Sequence, residues 1–455
     1  MKGIAVVLLF LLLTLPSRGQ ENPIRYGYHP LVVKSTLFPS SIPHSPSDSI
    51  QNDKETRNFW LGLFTGNYWQ NKKGNAGFGY EGLINPQCLT FNTVDGWIYR
   101  QSIAFNVMPD STRHFSFNQD ISYAFNRKAW MGLSRITYYY LHEQHGKFTI
   151  AAQTGSADYN GNNGIDPYIN SITSLFFRRN HMKLFDKTTV HINNAINVNR
   201  NLNLTLQASY LQANTLENHS DYSFFYRKTR DYTTNIPENT NFTFNQNNPF
   251  KSFTLMAELA YTPQNYYKYT DRHNILIYSQ SPTLTLNFKV ALPTLFQSDA
   301  SYQFLAGGIS QQLHLTKNSK FFYEIRGGSF LNVKKIHFSE FQHFNTQPLA
   351  VVITDFDNSF QLLDYYKFST SHYFMEGHLK YSTMYFFLKY LPWIRDHFWT
   401  ENLYLNYLNT PTLKHYTELG YGLGQLIFLF NLDVFVSFES GTYQAVGLKL
   451  CIGRY

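Results

Sequence analysis

The side chains of this 455-residue chain that could do chemistry are thinly spread. His142, Glu143 and His145 lie together in HEQHG, but a zinc-protease helix needs two histidines four apart on one face, and this pair does not have that spacing. Asp158, Asn160, Asn162, Asn163 and Asp166 offer hard oxygen ligands in the manner of a calcium loop. They lack the glycine at the sixth position and the glutamate at the twelfth that shape one. Cys88 and Cys451 stand near opposite ends of the chain. Export would permit a disulfide, and the first and last strands of a closed barrel are neighbours, yet a bridge needs Cα atoms within about 7 Å. We read the two as small apolar strand residues and leave their pairing open. GxSxG, Walker A, GxGxxG and CxxC patterns are missing from the sequence. No catalytic, cofactor-binding or metal-ligating residue is therefore nominated, and no cofactor is expected. The chain is read as non-enzymatic, with a hydrolase built from dispersed Ser, His or Asp residues as an alternative.

The elements that would position any such group are written in an alternation of side chains. In Asn201–Tyr210, Leu202, Leu204, Leu206, Ala208 and Tyr210 fall on one side of an extended backbone, and Asn203, Thr205, Gln207 and Ser209 on the other. In 96–108, Trp97, Tyr99, Ile103, Phe105 and Val107 oppose Arg100, Ser102 and Asn106. Phe115, Phe117, Ile121 and Tyr123 likewise oppose Ser116, Asn118, Asp120 and Ser122. After Pro282, which is tolerated where a strand begins, Leu284, Leu286 and Phe288 stand against Thr285, Asn287 and Lys289. Leu255 and Leu259 likewise oppose Thr254 and Glu258, and Leu448 and Leu450 oppose Lys449 and Cys451. Turn residues at Pro109–Asp110, Asn126–Lys128, His142–Gly146 and Asn197–Asn201 join these segments as antiparallel neighbours.

One oily and one wet face per strand, behind an export signal, point to an outer membrane. Lys2, the apolar run Ile4–Leu15 and the small residues Ser17 and Gly19 make a secretory signal peptide over 1–19. No later stretch approaches the roughly 20 apolar residues of a spanning helix. The other structure that crosses lipid with every backbone group paired is a closed barrel. Its strands hide half their residues from lipid, which accommodates a mean hydropathy of −0.33. Aromatic residues form 18% of the chain, with 34 Tyr and 40 Phe, and suit two interfacial girdles. A secreted aromatic-rich sandwich is disfavoured, because single cores seldom grow beyond about 250 to 300 residues. Arg100, Asp120, Glu258 and Lys289 should face the lumen, since Lys or Arg facing lipid costs about 2–4 kcal/mol at the midplane. The formal charge of +8 points weakly to acidic surface glycolipids or anionic solutes as partners, since Lys and Arg are scattered rather than clustered, and neither a basic helix nor the expected location recommends nucleic acid.

Residues 20–58 are rich in Pro, Ser and charge and read as a periplasmic linker or tail, leaving 59–455 as the barrel. Two connections, about Gly155–Arg179 and Gln212–Pro249, are much longer than the others. Both follow odd-numbered strands counted from one near Asn85–Phe91, so both lie on one side, the extracellular side of a barrel. Within the first, Asp166 and Pro167 read as an N-cap and first-turn proline, and Ile169, Ile172, Leu175 and Phe176 recur at helical spacing. A second helix over Tyr385–Asp396 would be broken by Pro392. Tyr455, one register out of phase with Ile452, is a partial terminal assembly signal.

The stretches INPQCLTFNTVDGW (Ile84–Trp97), RRNHMKLFDK (Arg178–Lys187), FQLLDYYKFSTSHYFMEGHLKYS (Phe360–Ser382), LPWIRDHFWTENLYLN and HYTELGYGLGQLIFLFNLDVFVSF run in order through the chain. Together they resemble a Bacteroidetes-type family of outer-membrane barrels of unknown function. The resemblance implies a barrel and names no active site. Longer members carry a carboxypeptidase-regulatory-like domain ahead of the barrel, and here 20–58 stands in its place, so no function resting on that domain is expected. The plan is also similar to TonB-linked receptors, but without room for their plug, so active import by this chain alone is not expected.

The reading is thus an all-β chain, a closed antiparallel transmembrane β-barrel of about 16 strands (14 to 18) with one or two short loop helices. Its expected place is the cell outer membrane. Expected partners are outer-membrane lipid and lipopolysaccharide, then small solutes or glycans and other envelope proteins. The expected function is a non-enzymatic pore or surface component binding a solute or glycan, with a structural or assembly role in the envelope as the alternative. Whether the loop holding Pro167–Arg178 blocks the channel would decide between conduit and scaffold.

Overall fold

Two-residue alternation makes most of this chain adopt strand. The structure, a computed structural model, describes residues 59–455 apart from 111, 162–163, 241, 243–248, 270–273, 280, 353–357, 385, 391–398, 427–429 and 453–455. The signal peptide, the 20–58 tail, Asn162, Asn163 and Tyr455 lie outside the described residues.

The first strands are β1 (Asn67–Gln70), β2 (Ala76–Tyr80), β3 (Leu89–Asn92), β4 (Gly96–Val107), β5 (His114–Ala124), β6 (Ala129–Tyr140) and β7 (Gly146–Asp158). Next come β8 (Leu184–Asn199), β9 (Leu202–Thr215), β10 (Phe250–Tyr261), β11 (Asn265–Tyr269), β12 (Asn274–Ser279), β13 (Thr283–Ala291) and β14 (Ser301–Thr316). The last are β15 (Ser319–Lys335), β16 (Val351–Val352), β17 (Tyr373–Thr383), β18 (Thr400–Asn409), β19 (Tyr416–Leu426), β20 (Phe430–Glu439) and β21 (Thr442–Ile452). Nineteen of them form a single sheet, and β11 and β12 make a separate two-stranded hairpin. Neighbours in the sheet are antiparallel and follow chain order, except that the two-residue β16 runs parallel to β21.

The sheet's 19 strands exceed the expected range for a simple reason. β2 lies opposite Ile103–Val107 and β3 opposite Gly96–Tyr99 of the same strand β4, so the two are halves of one strand broken between them. β1 and β16 are pieces of 4 and 2 residues.

Register carries each strand's alternation across the sheet. Phe105, Phe117, Ile136, Ile150, Ile192, Ala208, Leu255 and Val290 stand opposite one another in turn from β4 to β13. Of these, Phe105, Ile136, Ile150, Ile192 and Leu255 are exposed. One residue along, Ala104, Asn118, Arg135, Ala151, His191, Ser209 and Thr254 form the opposing ladder of small and polar groups. That face buries Ser102, Thr149, Thr189, Thr205, Thr254 and Glu376. Asp120 stands opposite buried Ser102, and Glu258 opposite buried Thr205, while Lys289 reaches Glu340 on the inner side at 3.6 Å. Arg100 lies near Glu81 and Tyr168 on that side too, so all four predicted inward charges are there.

Three long connections leave the same end of the sheet: 159–183 after β7, 216–249 after β9, and 336–372 after β15. The opposite end has turns as short as 200–201 and 317–318, together with the longer connections 262–282, which holds the β11–β12 hairpin, and 384–399. The third connection was not expected. The main core gathers Tyr159, Ile165 and Ile169 from the first with Phe338, Leu349 and Tyr366 from the third, against Phe185, Tyr404 and Phe435 of β8, β18 and β20. Strands far apart in the sheet thus share one core made of loops, and the sheet curves around it.

The helix Pro167–Phe177 forms as its spacing predicts. The Asp166 carboxylate accepts from Tyr168 N at 2.8 Å, proline occupies the first turn, and Arg178 ends the helix at φ 51°. A further short helix spans Phe59–Thr65. Of the helix expected over Tyr385–Asp396, Leu388–Tyr390 is a 3-10 turn, while Tyr385 and 391–398 lie outside the described residues. Among the described residues no helix is long and apolar enough to cross a membrane.

Candidate functional site

Buried charges of the inner face converge on the third connection. Glu418 of β19 is fully buried and aims its carboxylate at the loop backbone. Its oxygens accept from Gln361 N at 2.7 Å, Leu362 N at 2.8 Å, Tyr416 Oη at 2.8 Å and Asn406 Nδ2 at 3.2 Å. Lys449 of β21 does the reverse, its ammonium donating to the carbonyls of Gln347 at 2.8 Å and Leu349 at 2.9 Å. Just beyond, Val351 and Val352 pair with Leu450 and Cys451 as β16. Glu340, carried by the loop itself, accepts from Ser252 Oγ at 2.8 Å and Tyr302 Oη at 3.0 Å. Charge-assisted bonds of this kind are about twice as strong as neutral ones. Both oxygens of Glu418 are engaged as acceptors, whereas Glu340 takes its two bonds on Oε1 alone; the Glu418 arrangement suits holding a loop rather than exchanging protons.

Asp158, at the end of β7, joins the first connection to the third. It accepts from Tyr365 Oη at 2.7 Å, from Tyr366 Oη and from Asn160 N at 3.1 Å. The two phenol oxygens in turn accept from Ile165 N at 2.9 Å and Lys183 N at 2.8 Å. Burial, and then the Asp158 charge, push both phenols well above the usual tyrosine range, so they stay protonated donors. Arg178 and Asn180 bind the second connection to the first, the former donating to Asp221 Oδ1 at 2.5 Å and Ser223 Oγ at 3.0 Å. Asn180 accepts from Thr233 N at 3.0 Å. Asn239 closes the triangle, donating to Tyr366 O at 2.9 Å and Ser369 O at 3.0 Å. Within the third connection His343 donates from Nε2 to Phe338 O at 2.9 Å and accepts at Nδ1 from Ser369 Oγ at 2.8 Å. Burial holds His343, His337 and His181 down at about 4, so all three are neutral near pH 7.

The residues singled out in the sequence are not brought together. His142 and Glu143 lie in a 3-10 turn that His145 ends, between β6 and β7 and at the end of the sheet opposite the long connections. Asp158 and Asp166 serve the tyrosine pair and the helix cap, and Asn160 donates to Phe344 O at 3.1 Å. Among the described residues no three His, Cys, Asp or Glu side chains are grouped to hold a metal ion. Both cysteines are buried and unbridged. Cys88 ends the 3-10 turn Pro86–Cys88 and is not a strand residue, whereas Cys451 belongs to β21.

What sequence reasoning missed is the role of 336–372. The available signal was the loss of alternation between His337 and His372, together with the turn residues Asn345, Pro348 and Asn358.

The stretches Ile84–Trp97, Arg178–Lys187 and Phe360–Ser382 supply Phe91, Lys183, Gln361, Tyr365 and Tyr366 to these contacts. A family model described as the C-terminal domain of a family of unknown function, DUF5686, matches residues 61–423. The chain belongs to this family. The resemblance drawn from those stretches holds at that level, a barrel-like family without an assigned activity. Among solved structures, this DUF5686 domain is similar to BamA from Haemophilus ducreyi lacking POTRA domains 1-3, at 12% identity and a TM-score of 0.42, over 85% of this chain and 69% of that one. It is also similar to CdiB from Acinetobacter baumannii, at 8% identity and a TM-score of 0.36, over 80% of this chain and 57% of that one. A Rhodopseudomonas blastica porin variant matches at 9% identity and a TM-score of 0.30, over 78% of this chain and 90% of that one. No curated protein matches the DUF5686 chain in sequence.

Proposed function

We propose that this DUF5686 domain is a closed outer-membrane β-barrel, exported by its signal peptide, whose lumen is occupied by its own connection 336–372. It acts as a non-enzymatic surface component of the envelope, not as an open pore. The observation that carries the membrane reading is the reversal of faces: Ile150, Ile192, Leu255 and Leu286 are exposed while Thr149, Thr189, Thr205 and Glu418 are buried. A water-soluble sheet would do the opposite, and an exposed apolar band of this extent marks contact with lipid. The three longest connections, 159–183, 216–249 and 336–372, share one end of the sheet, which supports placing them on the cell surface, although the other end carries 262–282 as well as short turns. The ties from Asp158, Glu418 and Lys449 support a filled lumen, because a solute would have to displace a loop bonded to buried charges.

Planar-bilayer recording with the purified mature chain tests this. Wild-type protein is expected to insert without steady single-channel steps, and the double variant Glu418→Ala, Lys449→Ala to conduct. Sustained wild-type conductance would overturn the filled lumen, and failure to insert would overturn the membrane reading itself.

A further inference from the structure

On the second connection, Tyr222, Phe224, Phe225 and Tyr226 are 40%, 43%, 51% and 49% exposed in succession. A run of large rings in water is unusual for a polar loop, and these do not stand alone. Arg227 lies over the Tyr222 ring at 4.6 Å and Arg230 over the Tyr226 ring at 5.2 Å. Lys228 is exposed between them. Among the described residues none of these three cations has a carboxylate within ion-pair distance. The segment's own acids Asp221 and Asp231 are instead drawn to Arg178, at 2.5 and 3.6 Å. The segment is held rigidly: Arg230 donates to Phe177 O at 2.6 Å, Phe224 N to Leu175 O at 2.7 Å, and Phe176 packs on Phe224 at 5.3 Å.

The patch continues into the outward apolar face. Tyr222 packs edge-on against Phe91 at 6.3 Å, and Phe91 against Trp97 at 5.3 Å. Trp97 O accepts from Phe125 N at 2.9 Å, and Phe125 begins an aromatic group with Tyr123 and Trp130, the last 71% exposed. Exposed Lys128 lies in the same turn. The buried Phe91 ring thus joins the exposed ledge to the aromatic end of the outward face.

We infer that this ledge is a binding site for a phosphorylated, acylated lipid of the outer leaflet, with Arg227, Lys228 and Arg230 taking the phosphate and Phe224, Phe225 and Tyr222 the first carbons of the acyl chains. Arginine forks match phosphate oxygens, and cations above an aromatic ledge complement an amphiphile whose charge sits just outside its apolar part. A soluble acidic glycan would satisfy the cations but leave Phe224 and Phe225 in water. The site rests on the membrane reading given above.

Native mass spectrometry of the mature chain released from phosphatidylcholine nanodiscs tests the site, with a bisphosphorylated lipid A or its dephosphorylated counterpart as probe. Wild-type protein is expected to retain the phosphorylated form about tenfold better. Arg227→Ala, Arg230→Ala is expected to remove that preference, and Arg227→Lys, Arg230→Lys to restore part of it. Phe224→Ser, Phe225→Ser is expected to weaken retention of both forms. Equal retention of the two lipids, an unchanged alanine variant, or displacement by inorganic phosphate or an acyl-free acidic polysaccharide would each overturn the site. Quenching of tryptophan fluorescence by brominated acyl chains reports insertion separately, so an inserted protein without headgroup preference refutes this site alone.

Discussion

Glu418 shows how single residues hold the third connection. Replacing it with alanine leaves Gln361 N and Leu362 N without an acceptor in a buried setting, at a cost of roughly 1–3 kcal/mol for each stranded group. Protease cutting within 345–366 should then become faster while the strands of the sheet stay resistant, and an unchanged digestion pattern would count against the clamp. Gly447 offers a test that leaves charge alone. A Cβ there would come within 2.6 Å of Leu362 Cδ2, the tip of a side chain that can move aside, so Gly447→Val should loosen the same loop less than Glu418→Ala and give a weaker version of the same cutting pattern. The histidines predict a pH dependence. His343, His337 and His181 have pKa values held at about 4 by burial, against 6.5 in the unfolded chain. The unfolded chain therefore binds more protons between those values. Their contribution to stability is complete above pH 6.5 and is lost as pH falls toward about 4, which thermal melts across that window should show. His343→Gln should flatten part of the slope.

At the scale of elements, the helix Pro167–Phe177 was legible because its cap, proline and apolar spacing act locally. Its task was not legible: Ser171 Oγ accepts from Phe91 N of β3 at 2.8 Å, a contact 80 residues distant in sequence. Asp166→Ala should lower stability by about 1 kcal/mol, as loss of an N-cap does, measurable by denaturant titration in detergent. The strands carry a sharper contrast. Leu255→Lys places a charge in the outward ladder and should cost about 2–4 kcal/mol at the midplane, read as reduced insertion into vesicles. A serine at the same position should cost much less, and equal effects of the two would argue that this face does not meet lipid.

At the scale of the whole molecule, three connections from one end of the sheet form a single interlocked body. Asp158 ties the first to the third, Arg178 the first to the second, and Asn239 the second to the third. Loosening any one should therefore weaken the others, so Asp158→Asn is expected to speed proteolysis in 216–235 as well as in 336–372. If cutting rose in 336–372 alone, the loops would be independent. On the proposed filled-lumen reading, the same cooperativity bears on conduction, because opening would require release at several charged anchors together.

The sequence by itself determined the strands, their faces, the inward direction of Arg100, Asp120, Glu258 and Lys289, and the capped helix. Each of these depends on neighbours within a few residues, through side-chain alternation or a cap. Only the tertiary structure decided that β2 and β3 are one broken strand, that 336–372 lies against the inner face, and that Glu418, Lys449 and Asp158 hold it there. Those outcomes depend on which buried charge meets which distant backbone group once the sheet curves. Glu418 and Gln361 are 57 residues apart, and Asp158 and Tyr365 are 207 apart. Local periodicity carries no record of such pairs.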